Sequence, residues 1–187
     1  MKVVRYDFPD WRREYISLQE LADNLPIWAG NTALNFFLDS WRRQGWLDER
    51  LERWKPRKEQ DGRTGRRGIL IGKGSGRLRR SLRMRSGPDY FEVYTNNPYA
   101  KIHNEGGRIT QRPTARQRRF FWAMHAKAKK SGTKEEARKW KAMALADQIR
   151  IDIPRRQFMG DSRLLQRRIA LHVKRGVQQA HKHRRQI

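Results

Sequence analysis

Cysteine is absent, which excludes disulfides and thiolate metal sites. Apolar residues are scarce too. They make up 36% of the chain, below the usual share for a globular domain, so the core is expected to be modest and completed by neighbouring subunits. No apolar run approaches the ~18–20 residues of a membrane span. Residues 1–16 are charged and aromatic and lack the apolar centre of a signal peptide, so synthesis and use in a cytoplasm are expected. Acidic residues are few: 19 Asp and Glu stand against 44 Lys and Arg, a net charge of +25. That surplus is foreign to a typical cytosolic enzyme. It implies an anionic partner, either nucleic acid or an acidic protein surface. Seven Trp and seven Phe partly offset the thin core, since each aromatic buries a large area.

The chain is organised around Tyr90 to Gly107. Phe91, Val93 and Thr95 alternate with Glu92, Tyr94 and Asn96, the period of a half-buried strand. Asn96, Asn97 and Pro98 signal a turn. A second strand or short helix follows and ends at Gly106 and Gly107, which allow an unusual exit angle. Ser86 to Asp89 reads as the hairpin loop into this strand, with a partner strand beginning near Met84.

N-terminal to this centre, residues 1–16 read as an arm. A capping box, Ser17 to Glu20, should open a helix that Pro26 ends or kinks. A second helix is expected from Asn31 to Gln44 on the stripe Ala33, Phe37 and Trp41, stopped by Gly45 as a left-handed cap. Residues 55–68 read as an exposed basic loop. Ile69 to Ile71 reads as a short strand. Residues 113–150 read as a helical hairpin, capped by Thr114 and again by a box over Thr133 to Glu136. Asp161 or Ser162 should cap a final helix with Leu165, Ile169, Val173 and Val177 on one face and Arg167, Lys174 and Arg175 on another. The predicted fold is α+β: a single domain over 17–187, with N- and C-terminal helices on a small antiparallel sheet built from about 69–105, and the hairpin inserted.

Three ordered segments also resemble one family. Tyr99, Ala100, Ile102, His103, Gly106 and Gly107 are similar to the "YA-x-I-H-x-x-G" core of the phage virion morphogenesis proteins, also called tail-completion or head–tail joining proteins. Upstream, Ile69 to Ile71 and Ser75 to Ser81 are similar to its "I-L-x-x-(S/T)-G-x-L-R-x-S" segment. Downstream, Ile153 to Gly160 is similar to its "I-P-A-R-P-F-L-G", with Arg155 replacing the usual Ala and Gln157 the usual Pro. The resemblance covers roughly residues 30–175. It implies a structural virion protein of the neck or tail, assembled in the host cytoplasm as a ring, a hexamer in the family's usual pattern. Implied partners are portal, adaptor or neck proteins, tail tube or tail terminator proteins, and the DNA end in the neck channel. No catalytic residue, cofactor, metal or membrane is implied.

Within that reading Tyr99, Ala100, His103, Gly106 and Gly107 set a loop geometry, while Pro154, Arg155 and Phe158 contact a neighbouring subunit or partner; the alternative for Phe158 is a surface loop in which it covers its own sheet. Arg57, Lys58, Arg63, Arg66, Arg67, Arg167, Lys174 and Arg175 are candidates for contact with DNA or an acidic surface. Sharper readings fare worse. Gly72 to Gly76 lacks the order of a phosphate loop, because its lysine precedes the last glycines. His103, Asn104 and Glu105 hint at a nuclease, but a metal nuclease needs several converging carboxylates or histidines, and Asp is absent near the motif. The narrow Val and Ile stripe of the last helix suits core packing better than a membrane surface. Phe120, Phe121 and Met124 between basic residues suit a core face better than base stacking. The alternative class is a sequence-independent nucleic-acid-binding protein outside any virion, which rests on charge alone.

Overall fold

A computed structural model describes residues 11–57, 68–71 and 75–183. Helix α1 (Trp11–Arg43) contains 33 residues and is about 50 Å long at ~1.5 Å per residue. It replaces the two helices expected on either side of Pro26. That proline lies inside α1 and is buried. It removes one backbone hydrogen bond, at a cost of about 3 kcal/mol. Burial of Ala29, Ala33, Phe36, Phe37 and Trp41 just beyond it holds the helix together across the defect. The box at Ser17 to Glu20 opens nothing, because the helical chain already runs from Trp11. Residues 11–16 of the expected arm are thus helical, and residues 1–10 lie outside the described residues.

The stop of α1 falls one residue before the expected glycine. Gln44 takes the left-handed conformation, φ 53, and its side-chain amide donates to the Trp41 carbonyl at 2.6 Å. Gly45 instead begins strand β1 (Gly45–Leu47), which pairs antiparallel with β2 (Leu51–Arg53). A Cβ at Gly45 would lie 2.5 Å from the Glu52 carbonyl oxygen, so the close strand approach requires glycine there. This ribbon carries Trp46 and Trp54 back to α1. Trp54 meets Trp41 edge-on at 5.8 Å, and Trp46 packs against Phe36 and Phe37 at 5.7 and 6.0 Å.

Ile69 and Leu70 form a turn, not a strand. Leu70 has φ 61, and the Gly76 N–H closes the loop on the Ile71 carbonyl at 3.0 Å. These side chains still pack on the core, so their burial is satisfied without a strand partner. Next come α2 (Arg77–Arg80), β3 (Leu82–Ser86) and β4 (Phe91–Thr95). The hairpin is antiparallel, pairing Leu82 with Thr95 and Ser86 with Phe91. On it Phe91, Val93 and Thr95 are half-buried while Glu92 and Tyr94 are exposed, as the alternation requires. Helix α3 (Ala100–Glu105) follows.

The chain divides into two units, one formed by the chain up to Asn104 and again from Arg156, the other by Glu105–Arg155. The second unit holds β5 (Gly107–Gln111), α4 (Ala115–Ser131), α5 (Lys134–Leu145) and β6 (Ile149–Ile153). Thr114 and Thr133 each close a full capping box, with Gln117 and Glu136. Arg118 of α4 donates to the Ala144 and Ala146 carbonyls at 2.7 and 3.1 Å and so satisfies the last turn of α5. Phe121, Ala144 and Ile149 form this unit's own small core. β5 and β6 pair antiparallel from Gly107 with Ile153 to Gln111 with Ile149.

Back in the first unit, α6 (Arg163–His183) is the last element. Ser162 caps it, its hydroxyl accepting the Leu165 N–H at 3.2 Å. Asp48 supports the same end, taking the Ser162 hydroxyl at 2.8 Å and the Leu164 N–H at 3.1 Å. These bonds hold the Asp48 carboxyl below its ordinary range, chiefly through the Leu164 amide. Leu165 is buried, while Ile169, Val173 and Val177 are half-buried. α6 packs on α1, where the His172 ring stacks on Trp28 at 3.6 Å and 8°. The architecture is α+β, with small antiparallel sheets that form three two-stranded ribbons among the described residues. Among the described residues no helix is long and apolar enough to cross a membrane.

Candidate functional site

The motif residues gather around α3. Asn97 starts the turn: its carbonyl accepts the Ala100 N–H, and its side-chain oxygen accepts the Tyr99 N–H, both at 3.0 Å. Ala100 is 7% exposed and pins α3 to the first unit's core, whereas Tyr99 is 66% exposed. The chain beyond α3 needs its glycines. Gly106 has φ 77 and Gly107 φ 144, and a Cβ at Gly106 would lie 2.7 Å from the Arg155 amide nitrogen. The expected loop geometry at these residues is therefore carried by backbone conformation and close approach.

His103 orients the region through its backbone, not its ring. Its carbonyl accepts the Arg156 N–H at 2.9 Å, while its Nδ1 is buried and has no hydrogen-bond partner. Burial, and then the nearby Arg156 guanidinium, hold the imidazole below its ordinary value.

Asn104 does the clamping. Its side-chain oxygen accepts the Phe158 and Met159 N–H groups at 2.9 and 3.0 Å, and its amide donates to the Met159 carbonyl at 3.0 Å. A poor helix former inside a short helix needs such partners, and that was the available signal for it. The clamp seats Phe158, which is 0% exposed and packs on Trp41 with ring centroids 4.8 Å apart. Phe158, expected as a subunit contact, is thus a core residue. The Trp54 indole N–H donating to the Gln157 carbonyl at 2.7 Å fixes the loop that buries it. Pro154 is half-buried, and Arg155 is exposed at the end of β6.

A cleft of about 640 Å³ opens beside α3. Tyr99, His103, Arg57, Arg77 and Arg156 line it, and Ile69, Leu70, Ile71, Leu78 and Pro98 supply apolar wall. Arg156 is braced by the Lys55 and Pro56 carbonyls at 3.1 and 3.4 Å. Arg57 donates to the Gly68 carbonyl at 2.8 Å. Burial, reinforced by Arg57, lowers the Arg156 pKa, but a guanidinium stays charged at neutral pH. Arg156 and Arg77 form no salt bridge with a carboxylate among the described residues. The sequence marks Arg156, with Arg155 and Phe158, as a partner-like segment able to fork to a carboxylate, but it does not single out Arg77.

The other predicted contacts are dispersed. Arg167, Lys174 and Arg175 are exposed along α6. Arg57 is half-buried in the cleft. Lys58, Arg63, Arg66 and Arg67, with the glycine-rich turn at 72–74, lie outside the described residues. Among the described residues no three His, Asp or Glu side chains gather as a metal site would require.

A sequence model of the phage virion morphogenesis family matches residues 52–178. The match spans the upstream, central and downstream segments, α3 and its clamp included. No curated protein and no solved structure shows significant similarity to the chain.

Proposed function

The chain belongs to the phage virion morphogenesis family, which gives it a structural or assembly role in a virion, and from that premise we propose that it completes the tail or forms a neck ring joining tail to head. The family match is the observation that carries this reading. Two physical features support it. Each sheet has only two strands, so every strand leaves one edge without a strand partner among the described residues. Ring closure is a common way to cover such edges. A net charge of +25 per chain, multiplied around a ring, produces a strong positive field. That field suits acidic faces of portal, adaptor, tail tube or tail terminator proteins, and the DNA end in the channel. Arg167, Lys174 and Arg175, exposed along α6, contribute to that field. In this role the protein works by holding surfaces together and performs no chemistry.

Electron micrographs of particles made without the protein test the proposal. Full heads separated from intact, unattached tails are the expected result. Normal joined particles, or a block before DNA packaging, overturn it.

A further inference from the structure

The cleft beside α3 combines two features that a solvated basic face lacks. Its cations are placed: Arg156 is fixed by two backbone carbonyls, and Arg77 lines the same cleft. A chain that holds like charges together in a concavity lowers its energy when an anion enters. The second feature is the wall, where Ile69, Leu70, Ile71 and Leu78 lie beside the arginines. A phosphodiester strand is charged along its length and gains little from an aliphatic wall. A peptide that alternates carboxylates with aliphatic side chains uses both halves of the cleft.

We infer that this cleft, lined by Arg57, Arg77, Arg156, His103 and Tyr99, is a docking site for an acidic, leucine-rich peptide segment of a partner protein. Glutamate or aspartate side chains fork onto Arg77 and Arg156, while an aliphatic side chain lies on Ile69 and Leu78. The inference rests on the virion-assembly reading only for the partner being a protein of the same particle; the binding chemistry follows from the cleft.

Fluorescence anisotropy with the full-length chain tests it. The probes are a short labelled peptide alternating glutamate and leucine, its charge-matched counterpart alternating glutamate and glycine, and a labelled single-stranded oligothymidine. The leucine peptide is expected to bind about tenfold tighter than the glycine peptide, since burying one aliphatic side chain accounts for at least that factor. Arg77→Gln should weaken the leucine peptide roughly tenfold, the effect of losing a charge-assisted bond. Arg119→Gln, which removes an exposed charge on α4, should change it less than about twofold. Tyr99→Ala supplies a second cleft variant at an exposed side chain, and equal melting temperatures confirm that both cleft variants fold.

Equal affinity for the two peptides, or equal effects of R77Q and R119Q, overturns the proposal. So does a tenfold loss confined to oligothymidine, which assigns the cleft to nucleic acid. The outcome is separable from the neck reading. Failure of peptide binding leaves the head and tail phenotype untouched, and a normal particle without the protein leaves the measured affinities standing.

Discussion

Replacing Phe158 with alanine should unfold the first unit before it disturbs any surface. The ring is 0% exposed, so the whole side chain is lost from the interior. Phe→Ala changes in cores cost about 3–5 kcal/mol, and the spread reflects how far the site collapses. Collapse is resisted here. The core cluster it belongs to holds Trp41, Trp46 and Trp54, large rings with few alternative rotamers, and the loop is tied by the Trp54 to Gln157 bond and the Asn104 clamp. The pair with Trp41, 4.8 Å apart, adds its share of about 0.5–1.5 kcal/mol. A loss of about 4 kcal/mol follows, a large part of the roughly 5–15 kcal/mol that holds a domain folded. The melting temperature should fall by about 10 °C. Urea denaturation followed by tryptophan fluorescence reads this directly: the midpoint drops while the slope is unchanged. Phe158→Leu, which keeps most of the volume, should lose about 1.5 kcal/mol or less. An F158A protein with a wild-type midpoint but an altered oligomer would refute the reasoning and restore Phe158 as a surface anchor.

Other outcomes follow from the same geometry. Asn104→Leu strands two N–H groups and one carbonyl of the Phe158 loop, and should cost about 2–4 kcal/mol by the same denaturation assay. The folded-state pKa of His103 is depressed, so the unfolded chain binds its proton first. Stability is then complete above about 6.5, the ordinary histidine value, and declines as pH falls from there toward the lowered folded value; His103→Gln should flatten that slope in denaturation midpoints taken across the range. Asp48 is also depressed, so its contribution is present above its ordinary carboxylate value and is lost as pH falls through the lower folded one. Asp48→Asn should remove that acid-range dependence, again seen in midpoints against pH.

Some of this was legible in the chain and some was not. The hairpin of β3 and β4 was readable because a two-residue period is a local signal, and both caps of α4 and α5 were readable from threonine followed three residues later by an amide or acid. The α6 stripe was readable for the same kind of reason. The run through Pro26 was not, since its cost is offset by packing at Ala29 to Trp41 that no local pattern reveals. Ile69 to Ile71 looked like a strand because short apolar runs do not distinguish a strand from a buried loop. Phe158 looked like an anchor because an aromatic after proline and arginine reads the same whether its pocket belongs to a neighbour or to its own fold. The cleft was invisible because Arg57, Arg77, Tyr99 and Arg156 meet only through the tertiary fold.

The division of the first unit between two stretches of sequence has a consequence for how the protein is made. Phe158 and Leu165, which complete its aromatic core, are translated after the entire contiguous segment Glu105–Arg155. The segment with its own small core can fold as it leaves the ribosome, while α1 waits with Phe36, Phe37 and Trp41 uncovered. Ribosome-stalled chains ending before Phe158 should therefore be cut by protease within α1, whereas chains extended past α6 should resist. The first unit is thus begun earliest and finished last, and its unfinished state is where chaperones have the most to hold.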